Sequence, residues 1–199
     1  MDIPDTEIQA EAGNESVMGV MEAIYKRRAI RSYRPLRVHE DDIKTLLAAA
    51  VQAPTALHSE PWAFAVIQDT GLLKEISDSA KKSIIPEVQQ NLPDFFKKPD
   101  FNTFYNAETL VVIYARQTEP FVVADCWLAA ENLMLAACAM GLGTCVIGLA
   151  VETLNSREWK QKLGVATDMT AYVPIILGVP DKEVPSVPRK DPEIIVWKK

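Results

Sequence analysis

The most chemically distinctive part of the sequence is residues 26–37, here called the basic segment, within the stretch YKRRAIRSYRP and Arg37. It holds six Lys and Arg side chains and no acidic one, whereas the remaining chain has 15 basic against 27 acidic residues, a formal charge of -12. Arginine predominates, and its guanidinium group binds phosphate or carboxylate oxygens in pairs. The segment therefore indicates either a local anion site or a solvated helix end, where cations oppose the helix dipole.

A small phosphorylated ligand would suit such a site. A phosphate offers three acceptor oxygens, and each charge-assisted hydrogen bond to it contributes about 1.5–3 kcal/mol, so two or three arginines can supply most of the affinity. General binding to nucleic acid or an anionic membrane is not expected, because the 199-residue chain is acidic, with a pI of about 5.0.

Other residue types that could do chemistry give weaker signals. Cys126, Cys138 and Cys145 are odd in number and lack a CxxC spacing, which favours buried thiols in a reducing compartment over a metal or catalytic thiol. His39 and His58 are too few and too far apart for a His-based metal site, so no metal is predicted. The GLGT stretch at 141–144 follows a predicted helix and is better explained as a helix end than as a nucleotide loop.

The elements that must position the basic segment are predicted from hydrophobic spacing. A first helix capped by Ser16 delivers Lys26, Arg27 and Arg28 at its end. Pro35 favours an extended or turning chain from Arg31 onward. A second helix begins near residues 38–40 and ends at Pro54. The buried faces predicted for these helices are Val17, Val20, Met21 and Ile24, then Ile43, Leu46, Leu47, Ala50 and Val51.

Strands and further helices follow in no regular βαβ order, which indicates the α+β class. The segment 122–140 is apolar on nearly every face, so we expect a central helix enclosed by the domain or by a second subunit. The aromatic-rich residues 83–105 favour a lid or binding excursion only slightly over ordinary packing. Strands are predicted at 62–68, 109–116, 170–178, where Pro174 suggests an edge or bulge, and 193–197; helices are predicted at 72–79 and 153–163.

The organisation predicted is a flexible tail at 1–15 followed by a single domain at 16–199. An acidic, polar N-terminus is unlike a signal or transit peptide, and no apolar run approaches the ~20 residues of a membrane span. We therefore expect a cytoplasmic protein.

Several stretches together resemble the nitroreductase family. These are YKRRAIRSYRP, APTALHSEPWAFAVI, AAENLMLAACAMGLGTCVIG, YVPIILGVP and PRKDPEIIV, which span residues 16–197 with the helix between the first two. The family carries an Arg-Arg/His-Ser-x-Arg/Lys element and then a Pro-Ser/Thr-x-x-Asn-x-Gln-Pro-Trp element. The order and spacing of the pieces make the resemblance specific, although each piece alone is weak.

The resemblance implies a nitroreductase-like α+β fold, with a central, mostly antiparallel sheet flanked by helices, in an intertwined homodimer. It implies noncovalent FMN at two interface sites, with NADH or NADPH as co-substrate. A hydride would pass to FMN and then to an electron-poor small molecule such as a nitroaromatic or quinone, with no side-chain nucleophile or general acid required.

The resemblance also assigns roles to matching positions. Arg27, Arg28 and Arg31 would bind the FMN phosphate and ribityl chain, joined by Arg189 and less surely by Lys190. Pro54, Thr55 and Ala56 would lie along the flavin from the other subunit. The backbone of Ile147 and Gly148 would approach the ring near N5. The cofactor-binding set is Arg27, Arg28, Ala29, Arg31, Pro54, Thr55, Ala56, His58, Ile147, Gly148, Arg189 and Lys190.

This chain departs from the family pattern at several positions. Ala29 stands where the family often has Ser, which removes one hydroxyl contact to the cofactor. His58 replaces the usual Asn and Glu60 the usual Gln, and an ionised Glu60 close to the ring would disfavour an anionic reduced flavin. The family's Asn and Lys before the second core strand have no clear counterpart in DFNTFYNAET.

Two alternatives remain open at this point. A relative of the same fold could use reduced FMN for reductive dehalogenation or for fragmentation of the flavin. From a different class, the chain could be a non-catalytic protein that binds flavin or another anion through the basic segment.

Overall fold

A computed structural model of the chain describes residues 18–84, 93–98, 100–116 and 120–199. The predicted tail at 1–15, the Ser16 cap and Val17 lie outside these residues. Four strands form one sheet in the order β1-β2-β4-β3, and each neighbouring pair is antiparallel. The strands are β1 (Trp62–Ile67), β2 (Thr109–Arg116), β3 (Gly143–Val146) and β4 (Met169–Gly178). The predicted α+β class and antiparallel sheet are confirmed.

Side chains cap free backbone amides at the start of some of the helices. The His39 Nδ1 accepts a hydrogen bond from Asp41 N before the second helix, and the Asp69 carboxylate accepts one from Leu72 N before the third. The helices are α1 (Val20–Lys26), α2 (Glu40–Ala50), α3 (Thr70–Lys82), α4 (Val122–Ala139), α5 (Val151–Asn155) and α6 (Arg157–Lys162).

Both faces of the sheet are buried beneath helices. Side chains of β2 alternate between the two faces, so Val111 and Ile113 pack in one apolar cluster while Leu110 and Val112 pack in the other. The first cluster includes residues of α2 and α4, and the second includes residues of α3, α5 and α6. This explains why β2 appears in the sequence as a continuous apolar run.

Two predictions about buried helix faces are wrong within one chain. Val20, Met21 and Ile24 of α1 are exposed, and only Ala23 of that helix is buried. Val51 is also exposed, just after α2 ends. The apolar spacing therefore predicts that these segments are helices, but it does not predict whether their apolar side chains are buried within one chain.

Helix α4 is enclosed on one side only. Its length and composition alone would also suit a membrane span, so the prediction that no apolar run approaches that length is wrong for this helix. Its buried residues, such as Cys126, Ala130 and Leu133, pack in the cluster shared with α2, while Trp127 is 46% and Leu128 is 45% exposed. The domain therefore does not enclose this helix, contrary to the first half of the prediction.

The predicted helix 153–163 is divided into two shorter helices. Ser156 has extended backbone angles between α5 and α6, and its hydroxyl accepts a hydrogen bond from Trp159 N. A serine side chain that caps the following turn competes with helix continuation, which accounts for the break.

The prediction for Pro174 is wrong about an edge, because β4 lies between β2 and β3. The register shifts between Ile113 and Tyr114, so that Tyr172 of β4 is an extra residue two positions before Pro174. The Pro174 carbonyl accepts from Ile147 N, just past the end of β3. Since the amide and carbonyl of a strand residue point the same way, the missing proline donor faces Ile147, just past the end of β3, and no bond of the ladder with β2 is lost.

The predicted strand at 193–197 is not formed within one chain. Residues 181–199, here called the C-terminal segment, contain no helix or strand and are exposed. Its apolar side chains Ile194, Ile195, Val196 and Trp197 all face solvent. A strand needs a partner, and the described residues of this chain provide none for it.

Candidate functional site: a basic segment, a strained loop and a glycine turn

The basic segment leaves α1 and runs along the β3 edge of the sheet. Ala29 pairs in parallel with Thr144, and Ile30 N donates to Thr144 O at 2.9 Å. Further on, Arg34 N donates to Val179 O, after the end of β4. The extended conformation predicted from Pro35 is therefore present.

Close packing fixes this pairing at Gly143. A Cβ added there would lie 2.7–2.9 Å from side-chain atoms of Ile30. The segment can lie this close to β3 only because residue 143 has no side chain.

The three arginines of the predicted phosphate site have different surroundings. The Arg27 guanidinium is half-buried and pairs with the Glu131 carboxylate of α4 at 3.3 Å. Arg28 donates from Nη1 to the carbonyls of Tyr25 and Arg27, each at 2.7 Å, which helps to close the end of α1. Arg31 lies over the ring of Tyr105, 5.9 Å from its centroid.

The pKa values of Cys145 and Cys138 are sensitive to the positive charge of the basic segment. Burial raises the pKa of Cys145, and Arg31 and Arg27 act against that rise. Burial likewise raises the pKa of Cys138, where Arg27, Lys26 and Arg28 oppose it. Arg27 acts on both thiols, so its charge and that of Arg31 overlap near Cys145, on β3.

A short turn follows β3 at the predicted flavin contact. Ile147 is buried and its amide donates to Pro174 O, whereas Gly148 is exposed and begins a 3₁₀ turn, Gly148–Ala150. A Cβ on Gly148 would meet nothing within 4 Å. The amides of Gly148 and Leu149, at the start of this turn, have no acceptor among the described residues. The turn therefore offers open backbone donors just past the end of the strand that pairs with the basic segment.

Residues 54–60, here called the 54–60 loop, connect α2 to β1 through a strained backbone. Leu57, His58 and Glu60 have positive φ values of 53°, 54° and 42°, a region that residues other than glycine rarely adopt. Each such residue costs about 1–3 kcal/mol. Leu57 is also 90% exposed, so packing of its own side chain does not offset the cost of this conformation.

One buried carboxylate connects this loop to α4. Both oxygens of Asp125 lie within hydrogen-bond distance of Ala56 N, at 3.2 and 3.3 Å. Within the loop, Thr55 Oγ1 accepts from Glu60 N, and Ser59 N donates to Ala56 O. Our sequence reasoning did not identify Asp125; its signal was a lone acidic residue in the first turn of an apolar helix.

The predicted residues fall into two separate groups within one chain. Arg27, Ala29 and Arg31 lie along β3, which leads into the turn at Ile147 and Gly148, because Ala29 pairs with Thr144 and both arginines act on Cys145. The 54–60 loop, with Pro54, Thr55, Ala56 and His58, is attached to α4 at Asp125. Asp125 and Glu131 are about 9 Å apart along α4 and about 120° apart around it, so the two groups contact different sides of the helix.

Arg189 and Lys190 lie on the exposed C-terminal segment. Ser186 of this segment lines a cleft of about 820 Å³ together with Arg27 and Arg28. Three residues of extended chain span at most about 11 Å, so Arg189 is within that distance of Ser186. Neither Arg189 nor Lys190 forms an ion pair with a carboxylate among the described residues.

The architecture is that of an α+β protein with a row of basic residues beside its third strand. The nitroreductase family model matches residues 24–179, and the chain belongs to the nitroreductase family. The match includes the basic segment, the 54–60 loop and the glycine turn, and it ends before the C-terminal segment.

Individual relatives agree with this assignment. The chain is 29% identical over 168 residues to a protein of Archaeoglobus fulgidus named as a candidate NADH dehydrogenase/NAD(P)H nitroreductase, covering 82% of this chain and 86% of that one. It is 23% identical to an iodotyrosine deiodinase of Thermotoga neapolitana, covering 86% and 92%. It superposes with a TM-score of 0.80 on an FMN-bound nitroreductase of Bacteroides fragilis, at 26% identity, covering 90% and 98%.

Proposed function

We propose that the protein is an FMN-dependent oxidoreductase that passes a hydride from NADH or NADPH, through bound FMN, to an electron-poor acceptor such as a nitroaromatic or quinone. The observation that carries the proposal is the convergence of Arg27 and Arg31 on Cys145 of β3, the strand that leads into the open turn at Gly148. Family membership supports the same activity.

The basic segment fits the phosphate end of FMN. Arg27 and Arg31 present guanidinium groups from one extended stretch, and both raise the positive potential near Cys145. Their forked donors match phosphate oxygens, with Ala29 leaving room between them for the ribityl chain. Arg28 contributes less, because one of its nitrogens already donates to two carbonyls. Arg189, with Lys190, is close enough along the chain to join from the C-terminal segment.

The turn at Ile147 and Gly148 fits the ring end. Gly148 leaves open space where a side chain would stand, and the start of the turn offers amides that can donate to a ring nitrogen. When bound, FMN supplies the hydride chemistry, while the chain orients the ring and places positive charge near it. No side-chain nucleophile is needed for this reaction.

The second group of residues reaches the site only in a homodimer, which we propose as the functional form. Within one chain the 54–60 loop and the basic segment contact different sides of α4. Exposed Trp127 and Leu128 on α4, with the exposed apolar face of α1, form a surface suited to a second copy. The four apolar residues at 194–197 need a similar covering, and β1 at the sheet edge has one unpaired side.

The cytoplasm is the location we propose. All three cysteines are free thiols, and burial raises the pKa of Cys126 to about 12. Unpaired thiols are typical of a reducing compartment.

The direct test is to add FMN to the FMN-free protein and then to measure oxidation of NADH and NADPH in turn. Saturable FMN binding, followed by bleaching of the flavin and turnover with several quinones and nitroaromatics, supports the proposal. FMN binding without oxidation by any acceptor would indicate a non-catalytic flavin protein. Failure to bind FMN at all would contradict the proposal.

Reductive dehalogenation is the second candidate, favoured by the coverage of the deiodinase relative. In that reaction the carbon–iodine bond of an iodoaromatic breaks, and two electrons with one proton replace iodide by hydrogen. The electrons would come from NAD(P)H through FMN. Release of iodide from iodotyrosine faster than any quinone is reduced would favour this candidate.

A further inference from the structure

We infer that Asp125 is a positioning residue, which holds the 54–60 loop in the conformation that contacts the cofactor. The inference rests on the proposed function for the identity of the cofactor. The hold on the loop can be tested without any cofactor.

The first observation is the setting of the carboxylate. Asp125 is only 3% exposed, and both of its oxygens lie on one amide, that of Ala56. No Lys, Arg or His of the described residues forms an ion pair with it. A buried carboxylate without a cation is unfavourable unless donors and the dipole at the start of a helix offset it.

The second observation is the backbone that follows Ala56. Leu57 and His58 are both left-handed, and Leu57 points into solvent. Strain of this kind persists only where surrounding contacts impose it. The hydrogen bond from Glu60 N to Thr55 Oγ1 lies within the loop, so it cannot fix the loop relative to α4. Among the described residues, the hydrogen bonds that join residues 54–60 to α4 are those from Ala56 N to Asp125.

The consequence concerns the residues on either side of this bond. Thr55 and Ala56 are half-buried, whereas Pro54 and His58 are exposed, and all four belong to the predicted flavin contact. Asp125 touches none of the reacting atoms and acts through the Ala56 amide. Loss of this acceptor would let the loop relax to ordinary φ values and move these four residues together.

The test compares Asp125→Ala with Asp125→Asn, because asparagine keeps one oxygen that can accept from Ala56 N. Amide hydrogen exchange is measured on FMN-free protein, and the FMN dissociation constant is measured by titration. Gln68→Ala is the matched control. The Gln68 side chain likewise bonds to the backbone of another element, here as a donor to Val38 O at 2.9 Å and to Thr109 Oγ1 at 3.0 Å, but it follows the far end of β1, about 20 Å from the loop.

Asp125→Ala is expected to speed exchange in residues 55–60 at least tenfold and to weaken FMN binding at least tenfold. Asp125→Asn should stay within about threefold of wild type in both, and Gln68→Ala should leave both unchanged even if it lowers the melting temperature.

Unchanged exchange in Asp125→Ala would overturn the inference. So would faster exchange with unaltered FMN affinity, because the loop would then not serve the cofactor. If wild-type protein takes up no FMN, the proposed function and the cofactor part of the inference both fail, while the exchange result alone decides whether Asp125 holds the loop.

Discussion

The basic segment and the 54–60 loop reach the candidate site by opposite physical means. The basic segment has no positive φ and is held by pairing with β3 and by the Arg27–Glu131 ion pair. The loop makes no ladder, has three non-glycine residues at positive φ, and depends on one buried carboxylate. The basic segment therefore contributes charged side chains on an unstrained backbone. The 54–60 loop contributes a strained backbone with few charged side chains.

The largest effect is expected from removing the charge of the first region. Arg27→Ala with Arg31→Ala removes two phosphate-binding groups, worth about 3–6 kcal/mol together. The FMN dissociation constant should rise at least a hundredfold, as measured by titration of FMN-free protein.

The matched controls are Arg34→Ala, which removes an exposed arginine of the same segment, and Arg28→Ala. Arg34→Ala should retain wild-type affinity for FMN. Arg28→Ala should lose less FMN affinity than either Arg27→Ala or Arg31→Ala. Full flavin content in the double variant would show that the basic segment is only a solvated helix end.

The next test separates the two copies of the dimer, since the proposal places the 54–60 loop of one copy beside the basic segment of the other. Trp127→Glu puts a charge on the exposed face of α4 and should weaken the dimer by about 2–4 kcal/mol, measured by sedimentation. FMN binding should fall with dimer content, although every arginine is intact. Gln161→Glu, a charge added on the exposed surface of α6, is the control. A monomeric variant with full FMN affinity would show that one chain forms the whole site.

The pairing of the basic segment can be disturbed without touching its charge. Gly143→Ala would place a Cβ within 3 Å of Ile30 and should lower the free energy of unfolding by about 1–3 kcal/mol in denaturant melts. Gly148→Ala has open space around its Cβ and should leave stability unchanged while weakening FMN binding. Equal losses of stability in both variants would contradict the close approach of the segment to β3.

The smallest effect is expected from relieving strain in the loop. Leu57→Asn places a residue that tolerates positive φ at an exposed position, so FMN-free protein should gain about 1 kcal/mol in unfolding free energy. Ile195→Asn is the control, because Ile195 is 88% exposed and has no positive φ. If the two variants change stability equally, the loop conformation is not strained.

Local patterns were sufficient for much of the fold. The run at 109–116 predicts β2 at its observed bounds, because a strand buried on both faces is apolar at every position. The break at Ser156 was missed because a serine can either continue a helix or cap the next one, and local spacing does not distinguish the two. The place of β4 between β2 and β3 depends on long-range pairing, which the proline alone could not reveal.

In the candidate site, too, some features follow from local sequence and others depend on tertiary structure. Charge counting finds the basic segment, but the pairing of Arg27 with Glu131 of α4 depends on tertiary structure. The link between Ala56 and Asp125 joins residues 69 positions apart, so sequence reasoning found the loop only through its family resemblance. Positive φ at a leucine has no residue signature at all.

The most direct measurement of the central claim is the mass of the intact assembly after FMN is added, by native mass spectrometry. A site formed by the basic segment of one copy and the 54–60 loop of another predicts two chains with two FMN molecules, and monomers without FMN. A single chain that holds FMN, or a dimer that holds none, would contradict it.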